Sequence, residues 1–160
     1  MAFRIEYVKN QINLVYSLFS HNEIPIVFVG HPVEKGYFDK LKEISSIRGN
    51  VYFIDNIPQN EINLFYKYAD IHVLLSLRES PGLVSLETAL EKCPIVVTTK
   101  QFSPVDTYFA NCPYVVNPLD ISSVEKIVLQ AYKERKITEI DLGINHGCML
   151  QGKRTRLIKV

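Results

Sequence analysis

The stretch Ala69-Asp70-Ile71-His72-Val73-Leu74-Leu75-Ser76-Leu77-Arg78-Glu79-Ser80-Pro81-Gly82-Leu83-Val84-Ser85-Leu86-Glu87 decides the fold. Its first seven residues include a short apolar run of strand length. Pro81-Gly82 then suits the first turn of a helix, on which Leu83, Leu86, Ala89 and Leu90 recur at helical spacing. Beyond it, Cys93-Pro94-Ile95-Val96-Val97-Thr98-Thr99 is β-branched and opened by a proline, the mark of a second strand. The order is therefore strand, acidic loop, helix, strand. The N–H groups of Gly82, Leu83 and Val84 lie where a helix has unpaired donors and the positive end of its dipole, a ready anion site. Glu79 stands before that end and Glu87 in the second turn after it.

The same rhythm extends outward. Apolar runs recur at 24–30, 51–54, 71–75, 95–99 and 114–116, separated by amphipathic stretches that predict helices near 9–20, 34–47, 59–68, 82–92 and 120–133. Strands that are apolar throughout are covered on both faces, so the expected fold class is α/β: an open, mostly parallel Rossmann-like sheet with helices on both faces. In the last helix, Ser122 and Glu125 have capping-box spacing, with Asp120 as the alternative cap. Ligands of such sheets bind beyond the carboxyl ends of the strands, where Gly30-His31-Pro32, Asp55-Asn56-Ile57 and Glu79 to Gly82 should share one crevice.

Composition limits the function. The chain has 160 residues, 47% hydrophobic and 22% charged, as expected of one ordinary globular domain. Eighteen basic and seventeen acidic residues give a net charge of +1, which points away from wholesale nucleic-acid binding. Lys153, Arg154, Arg156 and Lys159 fall in the last eight residues, leaving fourteen basic against seventeen acidic groups before them. Residues 1–133 are read as the Rossmann-like domain, its first strand truncated at Met1-Ala2-Phe3. Residues 134–160 are read as an irregular basic tail, solvated or suited to an anionic membrane surface. Three scattered cysteines, Cys93, Cys112 and Cys148, fit a reducing cytoplasm and form neither zinc spacing nor a disulfide scaffold. The four histidines lack ligand spacing, and no metal site is expected.

On Glu79, Gly82, Leu83 and Glu87, together with Arg4, Lys9 and Asn10, the chain resembles the C-terminal, donor-binding domain of GT-B glycosyltransferases of retaining family four, the glycosyl transferases group 1. The segment from Asn50 to the pair Ala69-Asp70 is similar to the family's as well. Ser80-Pro81 replaces the family's usual Gly-aromatic pair, and Phe3 replaces a common glycine. The resemblance implies that a hexose passes from a nucleotide diphosphate sugar to a saccharide or lipid-linked acceptor, with retention, in polysaccharide or lipopolysaccharide synthesis. It implies catalysis without a bound metal or other cofactor. It assigns Glu79, Arg4 and Lys9 to the reacting end, with Glu79 on the hydroxyls of the transferred sugar and the two cations on the diphosphate. Gly82, Leu83 and Val84 then bind phosphate, Glu87 the ribose hydroxyls, and Asn56 and Ile57 the base, with Gly30 a further donor contact. The acceptor lobe of such enzymes has no counterpart in this sequence, so the chain is expected to bind donor better than it transfers sugar. A non-catalytic interaction module or inactive remnant of the same fold is the alternative reading. A phosphoryl-receiver domain has a similar rhythm but needs an acidic pair after its first strand, where only Glu6 stands.

Overall fold

A computed structural model describes residues 4–55, 57–58, 61–80 and 82–138, with the backbone of 158–159. Five parallel strands follow the predicted runs: β2 (Ile26–Val29), β4 (Val51–Ile54), β5 (Ile71–Val73), β6 (Ile95–Thr98) and β7 (Val115–Val116). Between them come α1 (Gln11–Ser17), α2 (Lys35–Arg48), α3 (Ile62–Tyr68), α4 (Leu83–Leu90) and α6 (Ile121–Glu134), each inside or within one residue of its predicted span. Among the described residues, several short elements lie outside the predicted ones. They include β1 (Arg4–Ile5) and β3 (His31–Pro32), which pair with each other, and α5 (Val105–Tyr108). At the start of α6, Asp120 is the cap, accepting from Ser123 N–H at 3.0 Å.

Alternation along β2 separates the two faces of the sheet. Ile26 and Phe28 join the large core beneath α1, α2 and α6, with Leu14, Leu18, Leu41, Ile44, Val124 and Val128. Val27 and Val29 point the other way and pack with Ile62 and Tyr66 of α3, flanked by Ile57 of the β4–α3 connection and Val84 of α4. Arg48, 4% exposed, closes the broad layer by donating to the carbonyls of Leu18, His21 and Ile24. Its guanidinium donors meet backbone oxygens of the α1–β2 connection and of Gly49, so the buried charge is fully hydrogen-bonded. Burial lowers its pKa from the ordinary value.

The strand order is β4-β2-β8-β5-β6-β7, where β8 is Ile158–Lys159. It pairs in parallel with β2 (Ile26↔Ile158) and with β5 (Ile71↔Ile158). The span 134–160, expected to be an irregular tail, thus supplies a strand to the middle of the sheet. A two-residue strand carries no readable period. Residues 139–157 and 160, including Cys148, Lys153, Arg154 and Arg156, lie outside the described residues. The chain winds outward from β2 to β4 and then the opposite way from β5 to β7, so the switch point lies over β8, where ligands of such sheets bind. Among the described residues no helix is long and apolar enough to cross a membrane.

Candidate functional site

Beyond the carboxyl ends of β2 and β5, two chain segments meet. The first runs from β1 through a 3-10 turn at Tyr7–Lys9 into α1, and the second is the loop between β5 and α4. Leu77 N–H donates to the Val8 carbonyl at 2.8 Å, joining them directly. Asn10 makes the turn possible by adopting a left-handed backbone, φ 55°, and its side-chain amide donates to the Pro118 carbonyl. Asparagine tolerates that region better than most residues with a Cβ. Tyr37 accepts from Ile12 N–H and steadies the first turn of α1, and burial pushes its hydroxyl pKa up to about 12.

The turn carries Lys9 onto Glu79. The ammonium lies 2.7 Å from Glu79 Oε2, with the side chains 20% and 14% exposed. Ser76 Oγ donates to the same oxygen at 2.7 Å. Backbone bonding holds this loop from the other side, since Glu79 N–H donates to the Phe102 carbonyl. Lys9 has three donors and spends one here, so two remain for a ligand. Arg4, more exposed, sits 3.4 Å from Glu6 Oε1. Arg4, Glu6, Lys9, Arg78, Glu79 and Ser80 line one open cleft of about 350 Å³. Three cations against two carboxylates leave it net positive.

Gly82 follows at the N-terminus of α4 with φ 72° and ψ 50°. A Cβ there would lie 3.3 Å from Glu79 Cγ in a conformation that L residues resist, so glycine allows both the helix start and the close approach of Glu79. The first intrahelical bonds are those of Ser85 and Leu86 N–H to the Gly82 carbonyl, leaving Leu83 and Val84 N–H without intrahelical partners. A cavity of about 10 Å³, enough for one water, lies behind Glu79 and Gly82 against Ser85, Thr98 and Ser103.

Of the residues singled out in the sequence, Arg4, Lys9 and Glu79 share the cleft, with Gly82 directly behind Glu79. Glu87 stands apart, half-buried on α4, accepting from Tyr66 Oη at 2.9 Å. Ile57 and Val84 pack on the cluster beneath that pair. Gly30 is buried at the end of β2, donating its N–H to the Ile54 carbonyl, one residue before the His31 that pairs with Arg4. Asn56 lies outside the described residues. Ser76, Arg78 and Tyr66 were not singled out in the sequence. For Ser76 the available signal was its place three residues before Glu79, whereas nothing in a tyrosine's helical spacing separates a hydroxyl donor from a packed ring. Asp70, of the Ala-Asp pair, is fully buried and meets Arg135 at 2.9 Å, far from the cleft in role. Among the described residues no cluster of His, Cys, Asp and Glu is arranged to hold a metal ion.

Parallel strands wound in both directions from a central switch point, with helices on both faces, define a Rossmann-like lobe of GT-B type. The profile of the family Glycosyl transferases group 1 matches residues 1–140, and the chain belongs to that family. Its fold is similar to an alpha,alpha-trehalose-phosphate synthase (UDP-forming) from Burkholderia vietnamiensis, with a TM-score of 0.72 and 13% identity over 84% of this chain and 36% of that one. It is also similar to the C-terminal domain of a glycosyl transferase group 1 family protein, LpcC, from Francisella tularensis, with a TM-score of 0.71 and 22% identity over 84% and 74%. A trehalose-6-phosphate structure from E. coli, bound with UDP-2-fluoro glucose, gives 0.68 and 17% over 84% and 36%. The chain therefore spans about a third of the length of the trehalose-phosphate structures it matches. These likenesses establish the fold. No curated protein sequence matches the chain.

Proposed function

We propose that this chain is the donor-binding lobe of a retaining glycosyltransferase that moves a hexose from a nucleotide diphosphate sugar to a saccharide or lipid-linked acceptor. The observation that carries the reading is the convergence of Arg4, Lys9 and Glu79 on one cleft beside the N-terminus of α4. A diphosphate needs cations and backbone donors; a hexose needs a fixed hydrogen-bond acceptor, and all three types of group meet here. In this reading Arg4 and Lys9 bind the diphosphate and stabilise the charge that develops as it leaves. Leu83 and Val84 N–H add the helix end, and Glu79, held by Lys9 and Ser76, receives the sugar hydroxyls. Glu87 takes the ribose, while Gly30, Ile57 and Asn56 close the nucleotide end. Polysaccharide or lipopolysaccharide synthesis in the cytoplasm is the pathway class that the resemblance favours, with the acceptor held by a separate lobe.

Titration calorimetry with UDP-, GDP- and ADP-sugars tests the reading. Saturable binding to one base class is expected, weakened by about 1–3 kcal/mol in Glu87→Ala, the range for hydrogen bonds to a charged group. No binding to any of the three would overturn the donor lobe in favour of a non-catalytic module, and unchanged affinity in Glu87→Ala would remove Glu87 from the ribose.

A further inference from the structure

The Glu79 carboxylate is held by a cation and a hydroxyl, Lys9 and Ser76, whereas the Glu87 carboxylate is held by the hydroxyl of Tyr66. Tyr66 lies on α3 with no exposed surface, its ring packed with Val27, Val29 and Ile62. Its hydroxyl reaches across to α4 and donates to Glu87 Oε2 at 2.9 Å. Burial, and then the Glu87 carboxylate itself, raise the Tyr66 pKa far above the ordinary value, so the phenol keeps its proton and acts as the donor. No described residue bonds Oε1 of Glu87.

A glutamate side chain has three rotatable bonds and loses rotamer freedom when it is fixed. A tyrosine ring packed on all sides has already lost its own. A bond from the rigid partner to one carboxylate oxygen therefore fixes the plane of the carboxylate before any ligand arrives, so that little of this ordering cost falls on binding. A vicinal diol donates two hydrogen bonds in a fixed geometry and gains from such a plane, whereas a ligand with a single hydroxyl at that place gains less.

We propose that Tyr66 is a positioning residue that orients Glu87 to accept the vicinal hydroxyls of a ribose, and so sets the preference of this lobe for ribonucleotides over 2′-deoxyribonucleotides. This rests on the donor-lobe reading above and deepens it. The bland alternative is that the bond only clips α3 to α4. The two differ in what they do to selectivity, since a clip contributes equally to both kinds of nucleotide.

The test measures the affinities of UDP, GDP and ADP and of their 2′-deoxy counterparts for the unmodified chain, Tyr66→Phe, Glu87→Ala and the double variant. Tyr66→Phe is expected to weaken the ribonucleotide roughly three- to tenfold, the loss of one ordinary hydrogen bond, while changing the deoxy form much less. The ribo-to-deoxy ratio should fall towards that of Glu87→Ala, and the double variant should fall no further. Equal losses for both sugars, or no loss, would overturn the positioning role and leave the donor lobe standing. Absence of binding by the unmodified chain would overturn both. Thermal melting checks that Tyr66→Phe folds; should it not, Glu87→Gln takes its place, because its amide oxygen still accepts from Tyr66. Selectivity retained above that of Glu87→Ala then supports the role, and selectivity equal to it defeats the role.

Discussion

The two faces of the sheet differ in depth. A core of more than twenty buried residues extends from α1, α2 and α6 through the strands to Ala89 of α4 and Val105 of α5, and is closed by Arg48 on three backbone carbonyls of the α1–β2 connection. On the other face of β2, under α3, Val27, Val29, Ile62 and Tyr66 form a separate cluster of four buried residues, flanked by Val84 of α4. Both glutamates of the motif stand on the narrow side, on α4 and the loop leading into it, whereas Arg4 and Lys9 come from the segment that leads into the broad layer. The difference teaches a division of work: the large core supplies most of the burial that holds the lobe together, and the small cluster carries the tyrosine that meets Glu87, one of the two glutamates that the proposed donor site uses.

The largest expected effect tests that division directly. Leu14→Ala in the broad core should cost about 4–5 kcal/mol and Ile62→Ala in the narrow cluster about 2 kcal/mol, the two ends of the range for such truncations. Urea denaturation measures both. Equal costs would show that the faces contribute alike. Next, Arg4→Ala should weaken nucleoside diphosphates by about 1.5–3 kcal/mol while leaving nucleosides nearly unaffected, because only the former offer phosphate oxygens to a guanidinium. Calorimetry with matched ligands reads this, and equal losses would take Arg4 out of the phosphate site. Gly82→Ala should destabilise by about 1–2 kcal/mol through its positive φ, and should also push Glu79 aside, weakening sugar nucleotides more than nucleotides. Denaturation together with calorimetry measures both effects, and a fold of unchanged stability would contradict the strained backbone.

The smallest effect places one tyrosine in each layer. Burial raises the pKa of Tyr37, beside the broad core, to about 12, and raises that of Tyr66, in the narrow cluster, further. Above pH 10.0, the ordinary value, the unfolded chain loses these protons while the folded chain keeps them. Stability should therefore fall as pH rises from 10 towards 12 and beyond. Melting curves across that range should show a shallower fall in Tyr37→Phe. An unchanged slope would exclude Tyr37 as a contributor.

Much of the fold was legible because apolar runs and amphipathic stretches are local signals. Ile26–Val29, Val51–Ile54 and Ile95–Thr98 are β-branched or aromatic runs bounded by turn residues, and a strand follows from that alone. Asp120 was one of two candidate caps, and only the observed bond to Ser123 N–H chose between them. The irregular reading of 134–160 missed β8, since two residues in the middle of a sheet owe their place to the edges of β2 and β5 and not to any pattern of their own. Nothing in the local sequence marks Arg48 as a buried clamp, because its carbonyl partners lie 24 to 30 positions upstream. Asp70 read as part of a family signature and is an ion-pair partner of Arg135.

By itself the sequence determined the βα alternation, the helix start at Gly82 and the set of charged residues from which a site could be drawn. Each depends on neighbours within a few positions, where propensity and periodicity act. Tertiary structure alone decided which charges meet: Lys9 with Glu79 across seventy positions, Tyr66 with Glu87 across two helices, and β8 between two strands more than eighty residues upstream. Such pairings are chosen by how layers close on a sheet, because a hydrogen bond or ion pair depends on distance in space and is indifferent to separation along the chain.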